Sequence, residues 1–143
     1  MKNLAASVHA RLAQRRAKTG EDFNVLLVRF TLERLLYRLS RSQHREQFVL
    51  KGAMLFALWE PTLHRVTRDL DLLGFGNPSA DRLTEIFREL CGIEVEADGV
   101  EFDRREGWHL GWHAGSVHVR LIFRYSSEHR LMLGFGAIVQ AWL

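Results

Sequence analysis

One cysteine in 143 residues cannot close an internal disulfide, which excludes a disulfide-stapled secreted scaffold and favours a reducing, cytoplasmic compartment. There are only two prolines, Pro61 and Pro78. No proline-rich linker, internal repeat or low-complexity tract divides the chain. The longest apolar stretch, Gly52 to Trp59, falls far short of the roughly 20 residues that span a bilayer, so no membrane association is expected. The first twenty residues contain no acid, as targeting peptides do. They are also serine-poor and run into a second amphipathic segment without a cleavage signal, which argues against such a peptide.

What is present is ordinary for a globular chain: 47% hydrophobic and 26% charged residues, too apolar for disorder. The length suits a single domain over 1–143, with a helical lead-in over 1–46 and a mixed sheet core over 47–143. The net charge of +3 hides an asymmetry, because eleven Lys and Arg face four Asp and Glu through Lys51, and nine face thirteen after it. Any polyanion contact is therefore expected from the front half.

Asn3 to Lys18 reads as a first helix with the stripe Leu4, Val8, Leu12 and a stop at Gly20. Glu21 to Leu39 reads as a second, with Phe23, Leu26, Leu27, Phe30, Leu35 and Leu36 on its apolar face. Glu21 and Asp22 suit its positive end, and Arg38 and Arg41 its negative end. Gln47 to Lys51 is a short strand ending at Gly52, and Ala53 to Trp59 is helix-compatible. Arg65 to Leu73 alternates, with Thr67, Asp69 and Asp71 on one face and Val66, Leu70 and Leu72 on the other. Leu70, Leu72 and Leu73 are expected to be buried. Ser79 caps a helix to about Leu90 whose stripe is Leu83, Ile86, Phe87 and Leu90. Strands are expected over Ile93–Glu96, Val100–Asp103, Ser116–Tyr125 and Arg130–Leu133. The sum is an α+β fold.

The chemistry concentrates in Lys51-Gly52-Ala53 and in Arg65-Val-Thr-Arg-Asp69-Leu-Asp71. Two aspartates at i and i+2 of a strand present carboxylates on one face. Held that close they repel unless a cation lies between them, and Mg²⁺ is the hard ion that combines one or two carboxylates with phosphate oxygens. Gly52 lets the backbone approach an anion, and the first N–H groups of the following helix point at it. Lys51, Arg65 and Arg68 supply nearby positive charge. Such a set suits metal-assisted phosphoryl or nucleotidyl transfer. Taken singly, Asp-x-Asp is also a common solvated edge motif and Lys-Gly a common turn.

Three blocks, "ERLLYRLSRS" (Glu33 to Ser42), "FVLKGAMLFALW" (Phe48 to Trp59) and "HRVTRDLDLLGFG" (His64 to Gly76), make the stretch Asn3 to Gly76 resemble the AbiEii/AbiGii-type toxin nucleotidyltransferases of abortive-infection toxin–antitoxin systems, a form of phage defence. The resemblance implies a DNA polymerase β-like nucleotidyltransferase fold. It also implies transfer of a nucleotide from an NTP to an acceptor such as tRNA, with Mg²⁺ or Mn²⁺ as cofactor and a cognate antitoxin protein as partner. By position, Lys51, Gly52 and Ala53 match the phosphate-binding turn, and Asp69 and Asp71 the catalytic, metal-binding pair. Arg65 and Thr67 match the approach to that pair, and Arg68 flanks it. "Asp98-Gly-Val-Glu-Phe-Asp103" also fits. Further on, Gly134-Phe135-Gly136 is kept, but Met132 and Ala137 stand where the family has acids. The first of these would be the third carboxylate, for which Asp103 and Glu101 are the nearest substitutes in sequence. Family members continue with a largely helical second half, so the chain reads as a truncated or degenerate copy.

Two other functions are consistent with the same residues: an inactive remnant that keeps the fold and binds a partner, and a basic nucleic-acid-binding module in which Asp69 and Asp71 are incidental. His109, His113, His118 and His129 lack the cysteine partners of a closed zinc site. Trp108 and Trp112 are expected to pack rather than stack on bases, and Cys91 to be a buried small hydrophobe. Leu131, Leu133, Ile138, Val139 and Trp142 are expected to leave apolar surface that favours self-association.

Overall fold

A computed structural model describes residues 4–59, 69–76, 79–102, 109–113, 116–121, 123–124 and 135–141. Helices α1 (Leu4–Thr19) and α2 (Phe23–Ser40) come first. They are followed by β1 (Phe48–Lys51), α3 (Gly52–Trp59), β2 (Leu70–Gly74) and α4 (Ala80–Cys91), and then by five further strands. These are β3 (Glu101–Phe102), β4 (His109–His113), β5 (Ser116–Leu121), β6 (Phe123–Arg124) and β7 (Phe135–Ala141). Helices and a small mixed sheet make the α+β class expected from the sequence.

Local chemistry sets the helix ends. Gly20 follows α1 with φ +74°, and its N–H bonds to Arg16 O at 2.8 Å, the glycine stop that a helix C-terminus favours. Asp22 caps α2, its Oδ1 accepting from the N–H groups of Asn24 at 2.9 Å and Val25 at 3.2 Å. Caps of this kind contribute about 1 kcal/mol. Ser79 Oγ accepts from the Arg82 N–H at 3.4 Å at the start of α4.

The core is one cluster shared by α2, α4, β1 and β2. Leu27, Leu32 and Leu35 of α2 meet Leu83, Ile86, Phe87 and Leu90 of α4 and Leu70 and Leu72 of β2. Phe87 packs edge-on against Phe48, ring centroids 6.2 Å apart. The stripe expected on α4 is buried as expected, and so is Cys91. On α2 the buried arc is wider than expected. Val25, Val28, Leu32 and Leu39 are buried too, while Phe23, Phe30 and Leu36 are only partly buried. A helix covered from more than one side buries more than a single stripe. Thr31 tolerates full burial because its hydroxyl donates to Leu27 O at 2.9 Å. Helix α1 is peripheral, with Val8 its one buried residue and Leu4 38% exposed.

The main sheet has the order β1-β2-β7-β5-β4, and β3 pairs with β6 in a separate two-stranded sheet. Strand β2 runs antiparallel to β1 and parallel to β7, with Asp71 opposite Lys51 on one side and Ile138 on the other. Leu70 and Leu72 point into the core, whereas Leu73 is half-buried on the Asp71 side, contrary to expectation. The two-residue period of a strand requires this split. Ile93–Glu96, expected as a strand, is not one; just after it Asp98 is tied to α2 by ion pairs to Arg34 and Arg38. The Val100–Asp103 and Ser116–Tyr125 expectations resolve into β3 and into β5 with β6. Arg130–Leu133 lies outside the described residues.

Strand β7 was not expected. It sits in the middle of the sheet, between β2 and β5, so Ile138 and Val139 belong to a central strand rather than an edge. Leu131, Leu133 and Trp142 lie outside the described residues. Among the described residues no helix is long and apolar enough to cross a membrane.

Candidate functional site

The site begins where β1 turns into α3 without an intervening loop. Gly52 is both the first residue after Lys51 and the first of the helix, and its φ is +72°. Only glycine takes that conformation without steric cost. Glycine is required here a second time by crowding. A Cβ at Gly52 would overlap Asp71 Oδ2 and lie 2.8 Å from Asp71 Cγ and 2.9 Å from Asp71 Cβ. The Asp71 side chain therefore lies directly against the start of α3.

That contact follows from the strand register. Asp71 is the ladder partner of Lys51, and residues directly opposite in an antiparallel pair share a face. Lys51, Asp71 and the helix start thus converge, placing a carboxylate beside a cation and beside the positive end of a helix. Asp69 stands immediately before β2 and is exposed, while Asp71 is half-buried. By the alternation that buries Leu70 and Leu72, Asp69 belongs to the Asp71 side of the strand.

Four of the expected residues, Lys51, Gly52, Asp71 and Asp69, thus stand at one end of β2, with Ala53 half-buried in the first turn of α3. Arg65, Thr67 and Arg68 lie outside the described residues. Two hard oxygen donors next to a backbone opened by glycine are a donor set that fits Mg²⁺ or Mn²⁺ with phosphate oxygens completing its shell. Among the described residues no three His, Cys, Asp or Glu side chains converge as a metal site, so of these residues Asp69 and Asp71 stand as a pair.

The third acid is expected beside Gly134-Phe135-Gly136. Ala137 pairs with Leu70 in β7, and Phe135–Ala141 contains no carboxylate, so the strand parallel to β2 supplies none over that span. Glu101 lies in the separate sheet, paired with Arg124. Met132 and Asp103 lie outside the described residues.

The frame around the site is fixed by charged contacts that sequence reading did not anticipate. The turn before β1 is tied to α4: His44 Nε2 is 2.7 Å from Glu89 Oε2, and Arg82 donates to Gln47 Oε1. Asp98 accepts from Arg34 Nε at 2.6 Å and Arg38 Nη1 at 2.9 Å. Burial alone would raise the Asp98 carboxyl, but the hydrogen bonds from Arg38, Arg34 and the Val100 N–H outweigh it and hold the carboxyl below its usual range. Arg38 stands in the last turn of α2, as expected, and it is also buried, stacked over the Phe102 ring at 4.9 Å. No local motif signals this pairing, since Arg38 and Asp98 are sixty residues apart.

With this geometry in place, comparison with known families is decisive. The family model described as nucleotidyl transferase AbiEii toxin, type IV toxin–antitoxin system, matches residues 34–138. The chain belongs to the AbiEii family. No curated protein matches it. The AbiEii match takes in β1, α3 and β2, and with them every expected site residue, but α1 and the first part of α2 precede it. AbiEii membership implies a nucleotidyltransferase of a toxin–antitoxin system, and hence an antitoxin partner.

Proposed function

We propose that this protein is a cytoplasmic toxin of DNA polymerase β-like fold that transfers a nucleotide from an NTP to an acceptor such as tRNA, using Mg²⁺ or Mn²⁺ held by Asp69 and Asp71. The observation that carries the reading is the seating of the Asp71 carboxylate against Gly52 at the start of α3. Phosphate oxygens would be received by the backbone at Gly52 and Ala53 and by Lys51, with Arg65, Thr67 and Arg68 directly upstream of the pair in sequence. The ion, when bound, neutralises triphosphate charge and the charge that develops on the leaving pyrophosphate. The acceptor hydroxyl attacks the α-phosphorus, the bond to pyrophosphate breaks, and the hydroxyl proton is lost to a base. The protein's own residues hold the triphosphate in line for this displacement. The cognate antitoxin is a separate protein that restrains this activity.

Asp69→Asn keeps the size of the side chain and removes its charge. It is expected to abolish NTP-dependent labelling of RNA, read by transfer of a radiolabelled nucleotide. Labelling at the wild-type rate would defeat the assignment. A second reading rests on a specific observation, the absence of a carboxylate from Phe135–Ala141 beside β2. In that reading the chain is an inactive member that keeps the fold and serves as a binding domain. Wild-type protein that binds NTP but never labels an acceptor would favour it.

A further inference from the structure

A groove of about 500 Å³ opens between α1, α2 and the segment around Ala97, and neither Asp69 nor Asp71 lines it. Its apolar floor is Val8, Leu12 and Phe30, and its basic wall is Arg11, Arg15 and Arg34. It belongs to the helical layer that covers the Leu70 and Leu72 side of β2, so Asp71 faces the opposite way. Most of its lining precedes residue 34, where the family match begins.

Three arginines against two acids give the lining of the groove a net charge of +1. Asp98 is committed to both Arg34 and Arg38. Glu96 accepts from the Tyr37 hydroxyl at 3.1 Å. Among the described residues Arg11 bonds within its own helix, to Ser7, and Arg15 reaches Glu21 at a loose 3.7 Å. Arg11 and Arg15 are both exposed and stand one helical turn apart, about 6 Å of rise. Arg16 and Lys18 extend the same acid-free helix. A row of cations beside an apolar floor that holds an aromatic ring matches single-stranded nucleic acid, whose phosphates take the cations and whose bases lie on the ring. A duplex would engage the cations and leave the floor unused.

We infer that the groove between α1 and α2 is a docking site for a single strand of nucleic acid, distinct from the site at Asp69 and Asp71. The inference deepens the acceptor half of the function proposed above and rests on that reading only for what the strand is used for.

The test is fluorescence anisotropy with labelled twelve-nucleotide RNA and DNA single strands, without NTP or divalent ions. The double variant Arg11→Gln, Arg15→Gln keeps helix-forming residues at exposed positions. It is expected to lose at least tenfold in affinity. Its salt slope should flatten by about 1.4, from about 0.7 per lost phosphate contact on a single strand. RNA bound more tightly than DNA identifies the strand as RNA, and the reverse identifies DNA; either supports the site. Affinity unchanged in the double variant overturns it. So does a duplex bound as tightly with the same arginine dependence, or an acidic amphipathic peptide bound there when neither strand is. Arginine-dependent strand binding without labelling counts against the catalytic reading alone. Labelling with arginine-independent binding counts against the groove alone.

Discussion

Gly52→Ala is expected to cost about 2–5 kcal/mol of stability and to remove nucleotide transfer, whereas Gly20→Ala costs about 1–2 kcal/mol and leaves transfer intact. The two glycines share nearly the same backbone conformation, φ +72° and +74°. They differ in surroundings. A Cβ at Gly20 meets nothing within 4 Å, whereas one at Gly52 lands on the Asp71 carboxylate. The Gly20 variant therefore isolates the left-handed backbone cost, and the difference between the two isolates the crowding against Asp71. Urea unfolding measures both. Equal losses at the two positions would mean that Asp71 yields freely and is not held against the turn.

The second large effect belongs to Asp98. Asp98→Ala is expected to cost about 3–5 kcal/mol, because it leaves the buried Arg38 guanidinium without its carboxylate. Arg34 and the Val100 N–H lose the same partner, the latter at 3.0 Å from Oδ1. The pH dependence has a definite sign. The folded-state carboxyl lies below its ordinary value, so its contribution is present above about pH 4, the range of an unfolded aspartate. That contribution is lost as pH falls through the depressed folded value. Wild-type protein should weaken in acid more steeply than Asp98→Ala, as followed by unfolding at a series of pH values. Parallel acid limbs for the two proteins would contradict the assignment.

Local signals carried much of this structure. Ser79 is a capping residue that announces its helix, the spacing of Leu83, Ile86, Phe87 and Leu90 marks one face, and Lys-Gly marks the end of β1. The alternation from Asp69 to Leu72 by itself puts the carboxylates on one side and the leucines on the other. What stayed hidden depends on partners distant in the chain. Strand β7 is rich in Gly and Ala, weak strand formers, and its place between β2 and β5 is fixed by pairings with segments on both sides of it. The seating of Asp71 against Gly52 needs the β1–β2 register, which spacing alone does not give. The Arg38–Asp98 pair joins a helix to a loop in another part of the chain. Neither residue carries a signal of its partner.

Asp71 and the turn at Gly52 are proposed to hold a divalent ion between carboxylate and triphosphate. Calorimetric titration of ATP and CTP, with and without Mg²⁺, tests it most directly, on wild-type protein and on Asp71→Asn. The account predicts nucleotide binding that requires the ion and disappears in the variant. Binding that is indifferent to both Mg²⁺ and Asp71 would contradict it.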